Sequence, residues 1–202
     1  MKKRTLLTSS LAAFGLIATL GTASAAPLPA DIPSGQYAIE PGHTQVIFSL
    51  LHFGFTNYSG LFSDASGTLK FNPKHLDRTK LDVTLKIDSV QTTSPRLTDE
   101  LKSADWFDAA QFPTATFVSS SVTPTGEGAA DISGDLTIHG ITKPATLHAH
   151  FIGAGVNPMD KAYTIGFEGT ATVKRSEFGV SQYLPVVGDD VTLMIAGAFE
   201  KK

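Results

Sequence analysis

The chain has 202 residues, of which 42% are hydrophobic and 17% charged, with no cysteine and a formal net charge of −3. That length suits one domain with a sizeable core, and the absence of cysteine excludes a disulfide framework and a thiol nucleophile. The mild acidity argues against nucleic acid, which selects basic surfaces, and no basic segment is present for electrostatic attachment to anionic lipid.

Met1-Lys2-Lys3-Arg4 precedes an apolar run from Leu6 to Leu20, then Ala23-Ser24-Ala25 and Ala26-Pro27. A basic start, an apolar middle and a small-x-small end form a secretory signal, read here as cut after Ala25. The alternative is an uncleaved anchor, but Ser9, Ser10, Gly15 and Thr19 interrupt the apolar run, and a span needs about 20 predominantly apolar residues. Removing three of the 16 basic residues and none of the 19 acidic ones leaves residues 26–202 at −6. The expected product is a soluble secreted protein, without stable membrane insertion. Residues 26–35 read as a flexible leader, and 36–202 as the folded domain.

Tyr37-Ala38-Ile39 opens the fold. From Thr44 to Phe53, Val46, Phe48, Leu50 and His52 alternate with Ile47, Leu51 and Phe53. Both faces are apolar, and period alone does not say which is covered. Gly54 to Gly60 reads as a break; Leu61-Phe62 and Ala65 to Phe71 resume as strand, and Asn72-Pro73 turns the chain. Leu81, Val83, Leu85 and Ile87 alternate with Asp82, Thr84, Lys86 and Asp88. Ser94-Pro95 then reads as a cap and first helical position, with Leu97, Leu101 and Ala104 at helical spacing. Thr114 to Val122 is a strand, and Gly126-Glu127-Gly128 a turn. Ile132, Leu136 and Ile138 share one face; across His139-Gly140, so do Ala145, Leu147, Ala149 and Phe151. That predicts a hairpin. Ala162 to Lys174 carries Tyr163, Ile165, Phe167, Ala171 and Val173 on one face, and Val191, Leu193 and Ile195 make the last strand. About eight strands with one helical insert mean an antiparallel sandwich or an up-and-down barrel.

The ordered segments resemble the YceI-like family. They are Tyr37 to Thr44; Val46-x-Phe48-x-Leu50-x-His52; Gly60-x-Phe62; Leu101 to Asp108 with Phe112-Pro113 and Phe117; Gly134 to Pro144; and Arg175 to Val180 with Gly188 to Val191. Glu40, Thr44, Trp106 and Glu100 stand where the family often has Asp, Ser, Phe and His. The resemblance implies an all-β fold, an extended antiparallel eight-stranded lipocalin-like barrel with a short helical insert, located in the periplasm. It implies an apolar tunnel for polyisoprenoid chains such as quinone tails or prenyl phosphates. No cofactor is expected beyond a bound isoprenoid lipid or quinone as ligand. The implied partner is a long-chain lipid, and a homodimer is left open.

The ligand-lining candidates are Val46, Phe48, Leu50, Phe62, Phe117, Leu136, Ile138, Phe167, Leu193 and Ile195; the same alternation arises in a filled barrel. His52 is a candidate donor at the mouth, or a histidine satisfied by backbone. Arg175 is the candidate for a charged head, because its planar fork matches phosphate; the alternative is a structural pair with Asp189, Asp190 or Glu177. His148 and His150 share a strand face, as some metal sites do, but no third ligand is evident, so no metal is assigned. Asp135 and His139 lack a third member for a hydroxyl–His–acid relay, and no catalytic residue is assigned. The expected function is a non-enzymatic lipid carrier. Its rivals are a lipid-modifying enzyme and a filled barrel acting as a protein-interaction module.

Overall fold

The computed structural model describes residues 28–202; the signal segment 1–25 lies outside them. The strands in chain order are β1 (Gly35–Ile39), β2 (Gln45–His52), β3 (Thr56–Phe62), β4 (Ala65–Phe71), β5 (Lys80–Lys86), β6 (Val90–Gln91), β7 (Thr114–Gly126), β8 (Ala129–Ile138), β9 (Ile141–Val156), β10 (Tyr163–Lys174) and β11 (Asp190–Lys201), with one α-helix, α1 (Pro95–Lys102), between β6 and β7. Eight of them close a ring in the order β1-β4-β5-β7-β8-β9-β10-β11 and back to β1, and β2, β3 and β6 extend from β11. Every pairing is antiparallel. The fold is therefore a closed eight-stranded barrel with three additional strands and a short helical insert, as the sequence pattern and the resemblance together predict.

Closure depends on β11 serving two partners. Its Phe199–Lys201 end pairs with Ile39–Tyr37 of β1, and its Thr192–Ala196 stretch pairs with β2. The chain leaves the ladder between them, and the Thr44 side chain fills the gap. Thr44 Oγ1 accepts from the Ala198 N–H at 3.0 Å and donates to the Ala198 carbonyl at 3.3 Å, while the Glu40 N–H donates to the same carbonyl at 2.9 Å. No backbone polar group at the break needs to stay unpaired.

The β8–β9 hairpin turns on His139 and Gly140, with Ile138 opposite Ile141. Both loop residues have positive φ, 52° and 74°. A two-residue loop of that hand matches the twist of its strands. Gly140 is required twice over, since a Cβ there would lie 2.5 Å from Phe112 Cε1. The Phe112 ring stands edge-on to His139 at 4.5 Å, so the insert is tied down on the hairpin. On the outward face of the β8–β9 hairpin, hydroxyls meet in pairs, Ser133 against Thr146 and Thr137 against Thr142 at 3.3 and 2.8 Å.

Two elements differ from expectation, and on β2 the structure decides what the period leaves open. The break after β2 shrinks to Phe53–Phe55, because Phe53 and Gly54 make the reversal at positive φ and pairing resumes at His52–Thr56. Ser94 does cap α1, accepting from the Leu97 N–H at 3.4 Å, but the helix ends at Lys102. Ala104 is therefore exposed rather than on the apolar stripe. On β2 the even face is the covered one: Val46 and Phe48 are buried, whereas Leu51 is 49% exposed.

The interior holds two apolar clusters. One surrounds Tyr37, Phe71, Phe151, Ile165 and Phe199 at the end carrying both termini; Ile32, just before β1, is buried in it. The other joins Phe48 and Phe62 to Leu101 and Trp106 beneath α1. Replacing Gly140 by Ala should lower stability by roughly 1–3 kcal/mol, from left-handed strain and collision with Phe112. Urea denaturation with an unchanged midpoint would show that the turn can re-form without this contact.

Candidate functional site

Within the first cluster lies a cavity of about 190 Å³. Its wall is made by the inward set of nearly every ring strand. Leu69 and Phe71 come from β4, Leu81, Val83 and Leu85 from β5, and Ile132 and Leu136 from β8. Ala145, Leu147, Ala149 and Phe151 of β9 complete the side made by the central hairpin. Small residues at Ala65, Ala145, Ala149, Gly169 and Ala171 leave the space that large ones would fill. Two hydroxyls reach the wall. Thr44 is already bonded to Ala198 on both sides; Thr79 Oγ1 is buried without a partner among the described residues.

Six of the ten apolar candidates line this cavity: Val46, Phe117, Leu136, Phe167, Leu193 and Ile195. The other four stand beyond its end. Phe48 and Phe62 belong to the cluster under α1, with Leu50 and Ile138 packed against it. The boundary falls within single strand faces, between Val46 and Phe48 on β2 and between Leu193 and Val191 on β11. The Phe48 and Phe62 rings meet at 5.8 Å, and Phe62 meets Phe107 at 5.7 Å. This aromatic layer closes the cavity on the α1 side. Leu28 and Leu76 also reach the wall, and sequence reasoning missed them because they lie outside the strands, where no period marks an inward face.

Neither polar candidate faces the cavity. His52 is half-buried at the far end of β2, its ring edge-on to Phe53 at 4.4 Å, beside an isolated bridge to Val187. Arg175 is buried, and its fork is directed at the protein's own backbone. Nε donates to the Gly188 carbonyl, Nη1 to that of Val180 and Nη2 to that of Val187, at 2.8, 2.9 and 2.8 Å. Its guanidinium carbon lies 5.5 Å from the centre of the Trp106 ring. Burial lowers its pKa, opposed by the charge of Asp189. Arg175 therefore pins the 180–188 connection to the helical insert. His148 and His150 face outward and meet acids instead: His148 Nδ1 is 2.7 Å from Asp131, and His150 Nε2 is 3.7 Å from Glu168. Among the described residues no group of three or more His, Cys, Asp or Glu is arranged to hold a metal ion.

Asp189 completes the Arg175 connection by accepting from the Ser176 N–H and hydroxyl, both at 2.9 Å. Burial raises its pKa, but the Ser176 donors and the charges of Lys174 and Arg175 outweigh that and hold it below its ordinary 3.8. A depressed carboxyl pKa stabilises the fold above the ordinary value and loses that contribution as pH falls through the folded one. Asp189→Asn should cost about 1 kcal/mol at neutral pH, and the gap to wild type should close below pH 3.8. Thermal melts showing the same gap at every pH would place the contribution of Asp189 elsewhere.

Known proteins with this architecture include BcnA of Burkholderia cenocepacia, with a TM-score of 0.72 and 26% identity over 79% of this chain and 98% of that one. A polyisoprenoid binding domain from Saccharophagus degradans shares the fold at a TM-score of 0.63 and 14% identity, covering 82% of this chain and 98% of that one. In sequence, a UPF0312 protein of Ectopseudomonas mendocina (strain ymp) is 38% identical over 165 residues, covering 81% of this chain and 86% of its own length. Residues 37–199, from the first buried tyrosine of β1 to the last inward phenylalanine of β11, match the family model of the YceI-like domain, and the chain belongs to the YceI-like family: a barrel whose cavity can hold a hydrophobic ligand.

Proposed function

We propose that this protein is a carrier that sequesters a polyisoprenoid or similar long-chain amphiphile, working in the periplasm after its N-terminal signal is removed. The observation that carries the reading is the cavity of about 190 Å³, open on one side, with an almost wholly apolar wall. Water gains little from such a wall, because a cavity water needs two to four polar partners. A hydrocarbon chain gains ~0.8 kcal/mol for each CH₂ it buries. Affinity would thus come from the tail, without a dedicated recognition group for each carbon. The S. degradans neighbour is a polyisoprenoid binding domain, which supports the same ligand class. The His139 ring, the imidazole nearest Asp135 in sequence, packs edge-on against Phe112.

Gentle native mass spectrometry of protein isolated from its own periplasm, followed by extraction of the bound lipid, tests this reading. A stoichiometric long-chain adduct is expected. A clean apo mass that persists after incubation with isoprenoid quinones and alcohols would overturn it. The aromatic layer makes a second outcome accessible. Phe48→Ala should cost ~3–5 kcal/mol of stability and join the cavity to the space beneath α1, so that the variant retains longer chains than wild type. An identical chain-length profile in the two proteins would remove Phe48 as the cavity's end wall.

A further inference from the structure

The cavity offers an incoming lipid no counter-charge. Among the described residues at its wall only Glu168 is ionisable, and that carboxylate points away. Phe167 and Gly169 on either side of it line the cavity, and alternation along β10 turns Glu168 outward. Its side chain is 62% exposed and 3.7 Å from His150. The guanidinium best suited to a phosphate is Arg175, whose Nε, Nη1 and Nη2 are committed to the carbonyls of Gly188, Val180 and Val187. It packs on Trp106, in the cluster beyond the aromatic layer. A solvated lysine outside the barrel, such as the exposed Lys74, attracts an anion only through water, where the interaction is weak.

We infer that the barrel discriminates by head-group charge: it takes long-chain amphiphiles ending in an uncharged group, an alcohol or a quinone-type carbonyl, and disfavours the phosphate of the same chain. This rests on the carrier reading and narrows its ligand class. The physical reason is asymmetric. An uncharged head loses few hydrogen bonds at an apolar wall. An anion drawn in with its tail gives up its hydration and finds no cation. A phosphate-headed chain must then keep its head in water and leave the first part of its tail unburied, losing the contribution of each exposed CH₂.

Competition against a fluorescent apolar probe, using farnesol, farnesyl phosphate and squalene with the delipidated full-length mature protein, reads this directly. Farnesol should displace the probe at a concentration at least about tenfold lower than farnesyl phosphate. Leu76→Lys places an ammonium at a half-buried wall position outside the strand ladders. It should narrow the gap between farnesyl phosphate and farnesol by roughly tenfold, with circular dichroism confirming the fold. Equal affinity for the alcohol and the phosphate in the wild-type protein would overturn the inference while leaving the carrier reading intact. So would a folded Leu76→Lys variant with an undiminished gap. Failure of all three compounds, squalene included, would overturn the carrier reading and this inference with it.

Discussion

Antiparallel pairing of β1 with β11, at Tyr37–Lys201, Ala38–Glu200 and Ile39–Phe199, joins the two ends of the folded chain and turns a sheet into a barrel. An open sheet would present two rows of unpaired backbone groups, and this chain has no disulfide with which to hold them together. Closure removes those edges, but it asks β11 to pair with β10 along one side and with both β1 and β2 along the other. The geometry fails at one place, Glu40–Thr44, and the Thr44 hydroxyl takes over the role of the missing backbone groups. A threonine with its hydroxyl turned toward Ala198 is thus the clip on which ring closure depends.

Once the ring is closed, the inward side chains of eight strands face one another across a volume they do not fill. Gly169 and the alanines at 65, 145, 149 and 171 keep space open among the phenylalanines of the first cluster, while Phe48, Phe62 and Trp106 fill the α1 end. The barrel is therefore packed at its α1 end and hollow within the first cluster. A filled core would have been the more stable arrangement, because each apolar void forfeits dispersion contacts along its lining. A void held open by small residues on three separate strands is consistent with a site kept for something else to occupy. The helical insert and the Arg175 connection serve this arrangement from outside: they bury the open α1 end without adding polar groups to the cavity.

The candidate site was legible in proportion to how local its signal is. Leu136, Phe167, Leu193 and Ile195 are inward because their strands alternate, and the period was visible in each. Phe48, Phe62, Leu50 and Ile138 show the same period and are equally inward, yet they form the wall beyond the cavity. Nothing in their own segments separates them from Val46 or Leu136. The difference arises because residues 87–107 fold over that end of the barrel. Arg175 is the converse case. Its position at the end of an apolar strand marked it as a special group, but its partners are carbonyls 5, 12 and 13 residues away, and backbone carbonyls are available at every position of any sequence.

By itself the sequence determined the strand faces except those of β2, the β8–β9 reversal at His139-Gly140, the capped helix after Ser94 and, through six ordered segments, the family. Those features follow from local rules: a period of two, a turn needing positive φ, a hydroxyl placed to receive an N–H. Only the tertiary structure decided that the barrel is hollow, where the hollow stops, and that its wall carries no inward charge. Each of those depends on which residues meet across the barrel axis. Such meetings are set by ring closure between strands more than a hundred residues apart, and no local pattern records them.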